Sequence, residues 1–157
     1  MPSIWRIAVI TPSYSADDLS GAGAKATGGR WNRKGNAVMY CASTISLACL
    51  ETVVHLAAGG LPLNRYLVEI VVPDNIWKAR KIMTHTNAPI GWDALPAGVV
   101  SLDTGDSWLG SLSSALFEVP SIVVPEEQNV LMNPMHPDAS RIKARICRKW
   151  LYDSRLV

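Results

Sequence analysis

The sequence predicts a single α+β domain, on three observations. The chain has 157 residues, which suits one domain of ordinary size rather than two. Strand-like and helix-like segments follow one another without the regular alternation of a parallel α/β sheet. Hydrophobic residues make up 48% of the chain and charged residues only 18%, against roughly 25% charged in an average domain. So few charges exclude neither a proper core nor a folded surface, but they do exclude a disordered chain, and they leave part of the surface for a partner to cover.

The elements follow in order. Ile4 to Ile10 reads as a first strand. Ser13 to Gly29 is small, polar and glycine-rich, so it predicts a loop. Val38 to Ala42 is a short apolar second strand. Ser43 or Thr44 then offers an N-cap, and the spacing predicts a helix over Ile45–Ala58, closed by Gly59 and Gly60. Arg65 to Val72 alternates and stops at Pro73, as a strand does. Residues 74 to 105 carry Pro89, Pro96 and several glycines; they read as irregular, a candidate lid over a pocket. A helix from Asp106 to about Phe117 comes next, then strands over Val119–Val124 and Asn129–Met132. A helical turn at Pro137–Lys143 and a strand over Ile146–Tyr152 complete the chain.

The totals exclude several functions. Fifteen Lys+Arg against 13 Asp+Glu is too balanced for direct nucleic-acid binding. Three cysteines without a C-x-x-C pair suit reduced core thiols, Cys41 and Cys49 among them, in a cytoplasmic protein. No run of about 18 apolar residues predicts a membrane helix, and the N-terminus lacks the layout of a signal peptide. His55, His85 and His136 stand far apart, so no metal site is expected. Nucleotide-binding and serine-hydrolase signatures are missing as well: Gly21 to Lys25 lacks the third glycine of a dinucleotide fingerprint, and no Walker A or Gly-x-Ser-x-Gly sequence is present.

Charge is unevenly placed. Leu19 to Leu50 has bases but no acid, Ile82 to Ser140 has seven acids but no Lys or Arg, and Arg141 onward has six bases and one acid. A basic tail of this kind is either a solvated face or a partner-facing one.

Glu51 is the most informative residue. It is the only formally charged side chain between Lys34 and Arg65. On a helical projection it shares a face with Leu47, Ala48, Val54 and Ala58. A carboxylate in that setting must be paired, hydrogen-bonded or protonated. It is either half of a structural ion pair or a catalytic carboxylate on a rigid element. Arg30 is its natural partner, within Gly28-Gly29-Arg30-Trp31-Asn32. The two glycines allow a tight bend and close approach to a ligand. Arg30 offers a planar fork to phosphate or carboxylate. Trp31 adds an aromatic surface and Asn32 a bidentate amide. The strand–helix junction would gather Tyr40, Ser43 and Glu51 around one pocket.

These residues resemble a known family. Trp5-Arg6-Ile7, Gly28 to Asn32 with Gly35, Val38 to Ser43 and Leu47 to Glu51 are similar to motifs of the RES domain. So are Gly105 to Trp108, Val119-Pro120-Ser121, Asn129 to Pro134 with His136-Pro137, and Asp153-x-Arg155-Leu156. The likeness runs in order over nearly the whole of residues 1–157. The Arg, Glu and Ser that name the domain map onto Arg30, Glu51 and Ser121. The resemblance implies a bacterial toxin of a toxin–antitoxin system, with a fold similar to ADP-ribosyltransferase toxins. It also implies action on NAD+, by degradation or by transfer of its ADP-ribose, with water, phosphate or a protein side chain as the acceptor. The partner implied is a helix-turn-helix antitoxin that plugs the active site.

The residues suit that chemistry. Breaking the nicotinamide–ribose bond builds positive charge on the ribose, which a carboxylate such as Glu51 stabilises. Arg30 and Gly29 suit the pyrophosphate, and Tyr40 offers a face for nicotinamide. Ser43, Ser121 or Asn129 can hydrogen-bond ribose or carboxamide. Ser121 and Asn129 can equally serve only their local backbone. Trp31 is a candidate pocket wall, whereas Trp108 reads as core. The basic tail is a candidate contact for acidic residues of the antitoxin or of a second toxin subunit. Two rival functions are a non-catalytic nucleotide-binding module and a ribonuclease-type toxin.

Overall fold

The computed structural model of the chain describes residues 1–56 and 60–156. Seven strands lie within them: β1 Ser3–Ala8, β2 Met39–Ala42, β3 Tyr66–Val71, β4 Lys81–Ile82, β5 Leu116–Pro120, β6 Gln128–Met132 and β7 Lys143–Lys149. They form one mixed sheet in the order β4-β5-β6-β2-β1-β3-β7. Only β4 and β5 pair in parallel; the other neighbours are antiparallel. Helices interrupt the strands without a βαβ rhythm, so the α+β class expected from the sequence is the class observed.

Alternation along the strands gives the sheet two apolar faces. One carries Ile4, Ala8, Met39, Cys41, Val68, Ile70, Leu116, Val130 and Met132, covered by Ile76 and Ile142. The other carries two separate clusters. Ile7, Ala42 and Leu67 pack under the helix α2, Ile45–Val53, through Leu47, Ala48 and Cys49. Phe117, Val119 and Leu131 pack under Trp31, Trp92 and the helix that carries Trp108 and Leu109. The seam between these clusters is where the polar residues of β6 and α2 meet.

Several boundaries differ from the sequence expectation. A short helix α1, Ala22–Thr27, stands inside the expected loop, its alanines outweighing two flanking glycines. Thr44 caps α2 by accepting from Leu47 N at 3.1 Å, and the helix stops at Val53 rather than at Ala58. Ala58 and Gly59 themselves lie outside the described residues. The segment expected to be irregular contains a helix α3, Asp74–Lys78, launched by Pro73, and the edge strand β4. It also contains the first two turns of α4, Val99–Ser111. That helix starts well before Asp106 and ends before Phe117, which belongs to β5 instead. The expected strand over Val119–Val124 ends at Pro120, and the last strand is Lys143–Lys149 rather than Ile146–Tyr152. The Pro137–Arg141 turn is helical as expected. Among the described residues no helix is long and apolar enough to cross a membrane.

Gly105 explains why α4 is hard to see in the sequence. A glycine in mid-helix reads as a breaker. Here it lets the helix press against the backbone of Trp31: a Cβ at this position would lie 1.8 Å from Trp31 O. The contact docks α4 onto the Gly29–Asn32 turn. Gly105→Ala should therefore destabilise the fold by at least about 2 kcal/mol, in the range of severe overpacking. Urea denaturation of the purified variant measures this, and unchanged stability would show that the helix is free to shift.

Candidate active site

Glu51 lies near the C-terminal end of α2, half-buried over the seam. Its Oε1 accepts from Ser121 Oγ at 2.6 Å and from Asn129 Nδ2 at 2.8 Å. Ser121 follows β5 directly, at the start of the turn into β6, and is 1% exposed. Its oxygen accepts from the backbone N–H groups of Val123 and Val124 at 3.0 Å each. A hydroxyl that receives two backbone donors has its own proton left to give. Ser121 therefore donates to Glu51, and the chain of bonds is polarised in one direction. Asn129 stands in β6 opposite Ala42 and Val119, so the ladder itself points its amide onto the helix. Its Oδ1 is buried without a protein partner. Among the described residues, nothing hydrogen-bonds or ion-pairs with Glu51 Oε2. The carboxylate is thus held by one oxygen and free at the other.

Of the two readings of Glu51, the ion pair with Arg30 is not found among the described residues. Two neutral side-chain donors satisfy Glu51, and Arg30 is turned elsewhere. Its Nη1 donates to Trp92 O at 3.1 Å and Ala94 O at 2.9 Å, while Nε and Nη2 have no partner among the described residues. Neither carbonyl was signalled by the sequence, because both lie in the segment that reads as irregular. A tryptophan amid glycine and proline was the only hint of an anchor there.

Tyr40 connects the two halves. It lies on the same sheet face as Asn129, one diagonal step away in the β2–β6 ladder. Its hydroxyl accepts from Trp31 N at 3.0 Å and donates to Asn32 Oδ1 at 2.5 Å. Asn32 is fully buried and gives its Nδ2 protons to Ala24 O at 2.9 Å and Asn36 O at 3.0 Å. The Asn32 amide, expected to face a ligand, is spent instead on holding the turn. Gly29 is required for the same reason: a Cβ there would sit 2.7 Å from the Tyr40 hydroxyl. Trp31 is buried, stacked on Trp92 with ring centroids 6.0 Å apart. Arg33 braces the turn from outside, bonding Asp103 at 2.7 Å and Asp106 at 2.9 Å. Ser43 continues the ladder past β2, its N–H bonding Gln128 O at 3.1 Å.

Ser121, Asn129 and Glu51 thus form one hydrogen-bonded group and Tyr40 with the Arg30 turn another, the two set on the same apolar sheet face. The three histidines each bond a backbone atom, His55 that of Glu51 itself: His55 on Glu51 O, His85 on Pro125 O, His136 on Asp138 N. Among the described residues no three His, Cys, Asp or Glu side chains converge on a possible metal position. Cys41 and Cys49 are core thiols, and burial pushes Cys41 up to about 12.

The model of the RES domain matches residues 3–154. The chain belongs to the RES domain family. It is 61% identical over 155 residues to the Prs ADP-ribosylating toxin of a Sphingobium species, covering 99% of this chain and 96% of that one. It is 40% identical over 129 residues to Toxin Res of Yersinia enterocolitica, covering 82% of each chain. Toxin Res of Pseudomonas putida is 34% identical over 155 residues, 98% of each. The chain is accordingly a RES domain toxin, the family its motifs resemble. In this RES domain Glu51 and Ser121 are in direct contact, and Arg30 is not part of that contact.

Burial holds the Tyr40 hydroxyl well above the usual tyrosine range. The fold therefore favours its protonated form. This contribution to stability is whole below pH ~10, the ordinary tyrosine value, and is lost as pH rises beyond it. Tyr40→Phe should cost about 1–3 kcal/mol at neutral pH, because Trp31 N–H and Asn32 Oδ1 lose a partner. It should also flatten the alkaline decline in stability. Denaturation curves of both proteins across that range provide the check; parallel declines would show that Tyr40 titrates as it does in the unfolded chain.

Proposed function

We propose that this RES domain toxin binds NAD+, cleaves its nicotinamide–ribose bond and transfers ADP-ribose to a protein. The observation that carries the reading is Glu51, a carboxylate fixed through Oε1 by Ser121 and Asn129 with Oε2 free. Cleavage breaks the C–N glycosidic bond, and the electron pair leaves with nicotinamide, which departs neutral. The ribose is left with oxocarbenium character, as in glycoside hydrolysis. A preorganised anion beside that carbon stabilises the charge without reorganising. The nucleophile that captures the ribose, a protein side chain or water, gives up its proton as the new bond forms.

The other residues take supporting roles. Ser121 and Asn129 orient Glu51, and the unpartnered Asn129 Oδ1 can accept from a ribose hydroxyl or the carboxamide. Arg30 offers Nε and Nη2 to the pyrophosphate while Nη1 keeps its loop. Tyr40 presents its ring face for stacking, and Gly29, Trp31, Asn32 and Ser43 shape the walls. One relative is named for ADP-ribosylating Prs, and we extend that acceptor to this chain. Relatives named as toxins support a cognate antitoxin, of the helix-turn-helix type that the family resemblance implies, seated over this site in the cytoplasm.

Glu51→Gln keeps the size of the side chain and removes its charge. Nicotinamide release should fall by about 10²–10³-fold, the worth of a transition-state electrostatic contact, with NAD+ affinity little changed. Release by the variant at the wild-type rate would refute a catalytic Glu51. Arg30→Ala should raise the KM for NAD+ by roughly 10–150-fold, equivalent to a charged hydrogen bond of about 1.5–3 kcal/mol. Steady-state kinetics at varied NAD+ separates that from an effect on kcat.

A further inference from the structure

The turn between β5 and β6, residues 121–127, carries Ser121 and touches both apolar clusters of the site's sheet face. Val124 packs with the cluster under α2, and Ile122 with the tryptophan cluster. The turn closes on itself through Ser121 N to Glu127 O and Glu127 N to Val124 O, 2.9 Å each. Among the described residues, three side-chain hydrogen bonds tie it to elements other than its own two strands. Ser121 bonds Glu51 at 2.6 Å, and Thr44, the cap of α2, donates to Glu127 Oε1 at 3.3 Å. Both of these lead to α2. The third leads elsewhere: His85 Nε2 donates to Pro125 O at 2.7 Å.

His85 belongs to the segment after β4, where Met83 N continues the pairing with β5 by bonding Glu118 O at 2.8 Å. The local turn that presents the ring is closed by Thr84 N on Asn87 Oδ1 at 2.7 Å. The ring lies against Trp92, with centroids 5.9 Å apart. Trp92 in turn stacks on Trp31 and gives its carbonyl to Arg30 Nη1. A carbonyl oxygen only accepts, so Nε2 carries the proton of the Pro125 bond. One imidazole thus meets the Arg30 half of the site through its ring and the Ser121 half through its nitrogen.

We propose that His85 is a positioning residue for cleavage of the nicotinamide–ribose bond, an inference that rests on the functional reading above. It holds the turn that aims Ser121, and through Ser121 the Glu51 carboxylate, in register with the Arg30 turn. His85 acts at a distance from the reacting atoms. Pro125 follows Val124 directly, and the N–H groups of Val123 and Val124 set the Ser121 hydroxyl. With pyrophosphate at Arg30, a shifted Ser121 turn would leave Glu51 out of line with the ribose carbon. A preorganised charge tolerates little displacement, so the loss falls on kcat. Arg30 keeps its two carbonyls either way, so NAD+ binding changes little. His85 is itself exposed, and its replacement opens no cavity in the core.

The test is steady-state nicotinamide release at varied NAD+ by the full chain and its variants. His85→Ala should lower kcat about tenfold with the KM for NAD+ within about threefold of wild type, the signature of a contact felt in the transition state. His85→Gln brings an amide nitrogen to the place of Nε2 and keeps a donor for Pro125. It should restore kcat to within about threefold of wild type, whereas the shorter His85→Asn should stay with His85→Ala. In a Ser121→Ala background, adding His85→Ala should cost no more than about twofold in kcat, because the brace then has no hydroxyl to aim. A His85→Ala kcat within about twofold of wild type would overturn the proposal. So would His85→Gln no better than His85→Asn, a comparison that holds even where His85→Ala fails to fold. So would an undiminished loss in the Ser121→Ala background, which would make His85 a structural contact only. Each of these leaves the proposed function standing. Wild type that releases no nicotinamide would overturn that function, and this inference with it.

Discussion

A carboxylate placed over an apolar sheet face must be satisfied by its neighbours, because burial of an unpaired charge is far more costly than the few kcal/mol by which a domain is stable. Glu51 meets that requirement through one oxygen, and much of the fold is arranged around it. The β5–β6 turn donates two N–H groups to Ser121, which sets the direction of its proton. The β2–β6 register brings Asn129 opposite Ala42, on the face below α2. The segment after β7 braces α2 from the far side, with Tyr152 Oη 2.7 Å from Thr52 Oγ1, the residue next to Glu51. Three distant parts of the chain thus converge on one helical turn. Using neutral donors rather than a cation keeps the negative charge uncompensated, which a salt bridge would not.

The second half of the site is held by a different constraint. The Gly29–Asn32 turn is pinned by the Tyr40 hydroxyl beneath it, by Asn32 inside it and by α4 behind it. Each contact leaves no room: at Gly29 and at Gly105 even a methyl group would collide. This tightness fixes where the Arg30 side chain begins, so its reach is set by the backbone rather than by a charged partner. The same turn supports the Trp31–Trp92 stack and hence the segment around Trp92 and Ala94 that Arg30 holds. The Arg30 side chain and the position of that segment are therefore mechanically linked.

How much of this was legible in the sequence depends on the range over which each signal acts. Strands β1, β2, β3 and β6 and the start of α2 carry local signals, alternation and a Thr44 cap, and they lie within a few residues of where those signals put them. The lone charge at Glu51 marked the site because an isolated carboxylate among apolar residues is unusual at any range. What was not legible is tertiary. The Glu51–Arg30 pair looked natural by charge, yet Ser121 and Asn129 are 70 and 78 residues away in sequence from Glu51 and reach it only through sheet register. Asn32 looked like a ligand amide because its partners, the Tyr40 hydroxyl and the Ala24 and Asn36 carbonyls among them, meet it only once the turn is folded. Helix α4 was hidden by Gly105, whose reason is a backbone carbonyl 74 positions earlier. Local physics located the groups, and the sheet decided their partners.

The sparse charge of the chain has a spatial explanation as well. The bases of β7 line the exposed edge of the sheet, where Lys143, Arg145, Arg148 and Lys149 discourage pairing with another strand. Arg145 also pairs with Glu69 and holds that carboxyl below its usual range. The acids Asp103 and Asp106 are occupied by Arg33. Glu51, by contrast, has only the neutral donors Ser121 and Asn129 as side-chain partners among the described residues. The proposed reaction gains from such surroundings, because a partly desolvated setting strengthens the field of a single carboxylate. The same property makes an uncovered site a poor surface for a free protein. The neutral partners of Glu51 thus leave the proposed chemistry an uncompensated carboxylate, while the charged pairs of the chain lie elsewhere, at Arg33 and at Arg145.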